Sequence, residues 1–503
     1  ACSGGSTGDP GALPGSPSPT TAAPSSTSTP TAAPTATNTK AATPALSRGV
    51  LSPWKSCDGG GFQCATLTVR LDEKDPAKGT VALAMTRHKA TGGSRIGSLF
   101  VNPGGPGASA VEYLQAAYTG IPQPLRQRFD LVAFDPRGVG RTAPVRCETT
   151  AQLDVYFHLD PVPDNDQELT ALDRGNRQLA AGCVKRSGRI LPYVGTDVVA
   201  QDLERARIAV GDAQLTYLGY SYGTAIGAAY LDQFPTHVRA MVLDGALDPS
   251  NSWDQLLAGQ SRGFDVALGA FLANCQKTTC EFRKKVNGDL TKAYDQLAAK
   301  VETHPLSGNG NRVVGPAEFS YGVGQALYST SLWPSLAQAL TEAVDGEGGT
   351  LLSLNDNYLE RSDSGYANLI ESNFAVNCID RPWPREVAPY QKLAREVGRD
   401  YPRFGPAIAL SGLGCAVWPL EPTSTPHKVT APGSPPVVVI GTTRDPATPY
   451  SWAQALAGQL SKGVLLTYNG DGHTVYRASA QACITSPVNA YLVNLKVPQP
   501  VRC

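Results

Sequence analysis

"LTYLGYSYGTAIGAAYLDQFP", residues 215–235, passes from an apolar run into Gly219-Tyr220-Ser221-Tyr222-Gly223 and leaves through a run of small residues. In a chain with 51 glycines, G-x-S-x-G arises by accident about one time in three. The flanks therefore carry the argument. The apolar run reads as a buried strand, and "YGTAIGAAYLDQF" (222–234) reads as a helix that starts at once. Small residues on both sides permit the sharp strand-to-helix turn that lifts a serine Oγ into a cleft. The same turn sets the hydroxyl near a helix N-terminus, where developing negative charge is favoured.

Outward from this turn the chain alternates strand and helix. "CATLTVRLD" (64–72) and "GTVALAMTRHKA" (79–90) alternate as antiparallel strands do. "GSLFVNPGG" (97–105), "FDLVAFDPRG" (129–138) and "VRAMVLDG" (238–245) are short apolar runs that end in turns, the pattern of buried parallel strands. "VVAQDLERARIAVG" (198–211) is an intervening helix. Together they predict an α/β fold with a mainly parallel sheet flanked by helices. After residue 250 the strand signal fades, then returns with "PPVVVIGTTRD" (435–445) and "GVLLTYNGDGH" (463–473). A sheet that stops and resumes predicts an insertion, a mainly helical lid over the strand ends. The expected divisions are a tether over 1–48, core over 49–250, lid over 251–430 and core again over 431–503.

A serine near its free pKa needs an adjacent base. Of the six histidines (His88, His158, His237, His304, His427 and His473), only His473 lies in a Gly-rich turn directly after a strand, "NGDGHT". The carboxylate that would hold its imidazole is Asp445 in "RDPATP", which gives the order Ser…Asp…His. Asp244, closing the strand after Ser221, is the second choice; Asp471 reads as a turn residue. An oxyanion hole needs two backbone N–H groups. Tyr222 supplies one. The other comes from "NPGGPG" (102–107), where Pro103 and Pro106 cannot donate, Gly104 and Gly105 can, and Gly105 is preferred.

"NPGGPG", "FDPRGVGRT" (134–142), "GYSYGT", "RDPATP" and "GDGHT" stand in the order used by α/β-hydrolases of the prolyl and tripeptidyl aminopeptidase type, which the chain resembles over residues 50–503. It is similar to secreted or lipid-anchored actinobacterial tripeptidyl aminopeptidases. The resemblance implies Ser221, Asp445 and His473 as the triad, with Asp135 and Arg137 bracing a turn. Prolyl members carry a histidine ahead of the glycines; here Pro103 stands in that run, which weakens any transfer of prolyl specificity. An exopeptidase that counts from the N-terminus must hold an ammonium, and buried carboxylates do so. "ESNFAVNCIDRPWP" (371–384) offers Glu371 and Asp380, with Trp383 as an apolar wall.

Eleven cysteines point to an oxidising compartment. Pairing neighbours in sequence joins Cys57 to Cys64, Cys147 to Cys183, Cys275 to Cys280, Cys378 to Cys415 and Cys483 to Cys503. No C-x-x-C occurs, and no metal or other cofactor is expected. Cys2 is left over. It resembles the lipidated cysteine of a bacterial lipoprotein, with Ala1 as the end of a signal peptide, and a free thiol on a secreted protein is the second reading. Residues 3–47 are almost all Ser, Thr, Ala, Pro and Gly, a disordered tether reaching roughly 40 Å. Lys+Arg and Asp+Glu are both 43, which gives no general attraction to nucleic acid or anionic lipid. Apolar runs such as "VVVI" (437–440) are too short to cross a bilayer.

The expectation is a monomeric extracytoplasmic serine hydrolase acting on peptides or proteins, an aminopeptidase releasing short N-terminal peptides. A carboxylesterase or lipase using the same triad is the alternative. An inactive binding protein on a hydrolase scaffold is the third reading, and the complete set of reactive residues argues against it.

Overall fold

The alternation of apolar residues along the strands resolves into two cores, one on each face of a single sheet. In the computed structural model, which describes residues 46–503, Phe100, Tyr217, Val437 and Val439 join one core. Their chain neighbours Leu99, Val101, Leu218, Val438 and Ile440 join the other. Period-two side chains buried on both faces are the mark of central parallel strands. The eight principal strands are β1 (Phe62–Arg70), β2 (Thr80–His88), β3 (Gly97–Asn102), β4 (Phe129–Phe134), β5 (Leu215–Tyr220), β6 (Val238–Asp244), β7 (Val437–Arg444) and β8 (Gly463–Asp471). They lie in the order β1-β2-β4-β3-β5-β6-β7-β8. β1, β2 and β4 pair antiparallel, and every later pair is parallel. The antiparallel β1 and β2 alternate buried and exposed positions along much of their length, as one-sided strands do. This is the α/β-hydrolase architecture.

Helices Thr196–Ala209, Gly223–Gln233 and Tyr450–Gln459 cover one face of the sheet. Ala110–Ala117, Gln123–Arg128 and Ala482–Asn494 cover the other. Between β6 and β7 the chain leaves the sheet and forms the helices from Trp253 to Ala416. Much of this insert packs on cores of its own. Its helices Leu369–Ile379 and Leu413–Ala416 instead bury Ala375, Val376, Ile379 and Cys415 in a core of the sheet. The insert also holds two small hairpins, Leu306–Ser307 with Val313–Val314 and Arg361–Ser362 with Gly365–Tyr366. Two residues per strand leave no alternation to read.

A second excursion, helices Thr150–Phe157 and Asp166–Ser187 between β4 and β5, rises on the same side and shares in the roof of the site. Leu46, the first described residue, packs on the sheet's core. Ser47 donates its N–H and hydroxyl to Glu73 at 3.1 and 2.5 Å. The end of the stretch read as tether, Leu46 and Ser47, is thus anchored to the body, and Glu73 is itself held by Arg205 at 2.6 Å. Cys2 and the rest of that stretch lie outside the described residues.

The five cysteine pairs expected from sequence proximity are joined as disulfides. Among the described residues no helix is long and apolar enough to cross a membrane.

Candidate active site

Ser221 occupies the turn between β5 and the helix Gly223–Gln233, and its φ is +53°. A non-glycine residue in that region costs energy and persists only where its surroundings hold it. Two contacts hold it here. Ser221 N–H donates to the Asp244 carbonyl at 2.9 Å. The glycines on either side let the chain fold back: a Cβ on Gly219 would fall 2.5 Å from the Gly223 carbonyl, and one on Gly223 would fall 2.6 Å from the Asn102 carbonyl. The flanking glycines therefore answer to close backbone approach, which places Ser221 at the carboxyl ends of β3 and β5.

The turn after β3 lies directly against the serine. A methyl on Gly104 would fall 2.9 Å from Ser221 Cβ and 2.7 Å from Tyr222 N. Gly104 N–H donates to Asn102 Oδ1 at 2.9 Å. Among the described residues neither the Gly105 nor the Tyr222 N–H donates to another group. The Tyr222 amide adjoins Ser221 in the chain, Gly105 follows the Gly104 that touches it, and both residues line its cavity.

His473 follows β8, and its Nδ1 lies 2.9 and 3.0 Å from the two carboxylate oxygens of Asp445, just past β7. Asp445 is fixed in turn. Its Oδ1 accepts from Ala447 N–H and Thr448 N–H at 3.0 and 2.9 Å, and its Oδ2 from Thr448 Oγ1 at 3.0 Å. With Nδ1 committed to the carboxylate, Nε2 is buried and has no hydrogen-bond partner among the described residues. Burial pushes the imidazolium down; the charge and hydrogen bond of Asp445, with the charge of Asp244, outweigh it and raise the pKa above 6.5.

Asp244, the second choice for that carboxylate, does not reach the ring. Its Oδ2 accepts from Val475 and Tyr476 N–H at 2.8 and 2.7 Å, so it braces the loop that carries His473. Burial raises its pKa to about 6. Asp471 forms a two-pronged pair with Arg444 at 2.5 and 2.9 Å and ties β8 to β7. Asp135 accepts from Ser109 Oγ, Val111 N–H and Arg141 N–H. Arg137 is buried on Asp202 at 2.6 Å. Both are braces, as the resemblance implies.

Over Ser221 the insert and the β4–β5 excursion enclose a cavity of about 390 Å³. Asp380 and Trp383 line it; Glu371 does not. Glu371 is buried on the far side of its helix, where Oε1 accepts from Cys147 N–H at 2.5 Å and Glu148 N–H at 3.1 Å, with Arg146 at 3.7 Å from Oε2. The expectation that Glu371 meets substrate is thus corrected, and helical register is the reason. Ile370, Asn373, Phe374 and Asn377 face the cavity at i, i+3, i+4 and i+7, and Glu371 falls about 100° round from Ile370.

Asp380 accepts from Thr196 N–H at 2.8 Å and from the Thr196 hydroxyl, which also meets the Tyr222 hydroxyl at 2.5 Å. Burial, foremost, raises its pKa to about 6. Trp383 donates Nε1–H to the Asn377 carbonyl at 3.0 Å. Sequence reading missed two charged wall residues, Asp248 and Arg381. Asp248 Oδ1 accepts from Ser250 N–H, Ser250 Oγ and Gln459 Nε2. Arg381 donates to the Asn251 carbonyl at 3.2 Å. Asp248 was legible in principle, since it stands in the turn after β6, where ligand-facing residues of such sheets gather.

The sequence model of the TAP-like protein family matches residues 401–503. Over 458 residues the chain is 40% identical to Serine protease Hip1 of Mycobacterium tuberculosis, covering 87% of this chain and 86% of that protein. It is 37% identical over 451 residues to Carboxylesterase B of the same species, covering 88% and 86%. It is 32% identical over 446 residues to Tripeptidyl aminopeptidase of Streptomyces coelicolor, covering 86% and 81%.

Proposed function

Because the chain belongs to the α/β-hydrolase family of serine peptidases that includes Serine protease Hip1 and Tripeptidyl aminopeptidase, we propose that it is an extracytoplasmic aminopeptidase releasing short N-terminal peptides, tripeptides foremost. In this reading Ser221 Oγ attacks the acyl carbon while His473 Nε2 takes its proton. Asp445 holds the ring and stabilises the imidazolium. The oxyanion lies between the N–H groups of Gly105 and Tyr222. His473 then returns the proton to the leaving amine, and water, activated by the same imidazole, releases the peptide from the acyl-enzyme.

The observation that carries the exopeptidase reading is the charge of the cavity that holds Ser221. Asp248, Asp380 and Arg381 are its charged wall residues, an excess of one carboxylate. A deep cavity with one negative charge to spare suits a peptide ammonium, and Asp380 is the group assigned to it. The volume admits a short peptide end, not a folded chain. Five disulfides support a compartment outside the cytoplasm.

The second reading is a carboxylesterase, favoured by the identity to Carboxylesterase B. One panel separates the two: free-amine tripeptide amides, their N-acetyl forms and simple acyl esters, on native protein and Asp380→Asn. The aminopeptidase reading expects kcat/KM to fall at least about tenfold on N-acetylation, as loss of a charge-assisted contact implies, and expects Asp380→Asn to erase that preference. Esters turned over faster than peptides, with no free-amine preference, would sink it.

A further inference from the structure

The imidazole of His473 is held by the insert as well as by the sheet. His473 N–H donates to the Tyr328 carbonyl at 2.8 Å. Tyr328 directly follows the insert helix Pro316–Leu327. Its ring stands at 90° to the imidazole, with centroids 5.3 Å apart. The loop carrying His473 is shaped for this approach. Gly472 has φ +96°, and a Cβ there would lie 3.1 Å from the Tyr328 carbonyl oxygen.

Tyr328 is itself wedged among aromatic neighbours. Phe264 lies 5.8 Å away and Tyr358 6.3 Å, and Tyr358 stacks on Tyr321 at 5.5 Å. These four side chains line the same cavity as Ser221. An imidazole tethered through Nδ1 alone can still rock about its bond to the carboxylate. An edge-to-face neighbour removes that freedom.

We propose that Tyr328 is a positioning residue through which the insert sets the ring plane of His473, so that the catalytic apparatus is complete only with the insert seated. This rests on the reading of Ser221 and His473 as nucleophile and base. Aromatic residues that line the cavity are, through Tyr328, in contact with His473. A shift of the insert then reaches the proton-transfer geometry directly, where about 1 Å of misplacement costs on the order of 10²-fold.

The test compares native protein with Tyr328→Ala, Tyr328→Leu and Tyr328→Phe, each checked for folding by circular dichroism. Turnover is measured on a free-amine tripeptide amide and on p-nitrophenyl acetate, which carries no peptide segment for the cavity wall to hold. Fluorophosphonate inactivation and the pH profile of kcat/KM are followed alongside. Tyr328→Ala is expected to lower kcat about 10- to 100-fold on both substrates and to slow inactivation in parallel. It should also move the acidic limb to higher pH, because admitting water relieves the burial that pushes the imidazolium down. Tyr328→Phe keeps the ring and should recover most of the lost kcat.

Should Tyr328→Ala fail to fold, Tyr328→Leu, which fills the space without a ring, carries the same expectation. A raised KM for the peptide alone, with ester turnover and pH limb unchanged, reduces Tyr328 to a wall residue and overturns the proposal. Failure of the underlying reading shows elsewhere, as fluorophosphonate labelling that survives Ser221→Ala.

Discussion

At Ser221 the backbone is held at φ +53° by two glycines and one carbonyl acceptor, and at His473 one ring nitrogen is committed while the other is kept bare. These are two halves of one device: strain fixes the nucleophile, and a carboxylate fixes the tautomer that leaves Nε2 able to accept. Because Asp445 raises the imidazolium pKa, the proposed mechanism expects His473 to be protonated, and activity to be lost, as pH falls through a value above the ordinary 6.5. Asp445→Asn removes the group that does the raising. Its acidic limb should therefore move to lower pH, and kcat should drop about 10⁴-fold with folding retained. A pH–rate profile of both proteins checks the sign; an unmoved limb would show that Asp445 does not govern the ring.

Single elements translate these residues into a site. The helix Leu369–Ile379 turns four side chains to the cavity and buries Glu371 behind them. Its far end is tied by Cys378–Cys415, just before Asp380. That bridge closes a loop with a sequence separation of 37. Replacing both cysteines by serine should cost roughly 2–4 kcal/mol of stability by freeing the unfolded chain. Asp380 and Trp383 lie within a few residues of Cys378, so KM for free-amine peptides should rise while kcat on p-nitrophenyl acetate stays. Thermal unfolding and steady-state kinetics of Cys378→Ser/Cys415→Ser separate the two effects. The motif loops were legible because tight turns dictate their own residues: glycine where backbones touch, aspartate where amides need an acceptor. Glu371 misled because acidity says nothing of helical face, whereas the register of residues 370, 373, 374 and 377 does.

Over the whole molecule, insert and sheet meet around one chamber, and the charges that line it come from both. Asp380 stands on the insert and accepts from Thr196 at the start of a helix on the sheet. Its pKa of about 6 means that it is ionised at neutral pH and loses its charge as pH falls through about 6. Binding of a free ammonium should weaken over that window, so KM for free-amine peptides rises below pH 6 while KM for N-acetyl peptides stays level. Parallel curves for the two substrates would remove Asp380 from ammonium recognition.

The sequence by itself determined the α/β architecture, the serine turn and the histidine after the last long strand, and it offered Asp445 ahead of Asp244 and the five cysteine pairs as expectations. Each of these rests on interactions between residues close in the chain or on a period that repeats along it. Only the tertiary structure decided that Asp445 and not Asp244 reaches His473, that Glu371 turns away while Asp248 and Arg381 turn in, and that Tyr328 stands against the imidazole. Those facts depend on contacts across long stretches of chain, where packing geometry rather than local residue preference chooses the partner. The "GYSYG" turn announces a nucleophile; the insert folded over it decides what that nucleophile can meet.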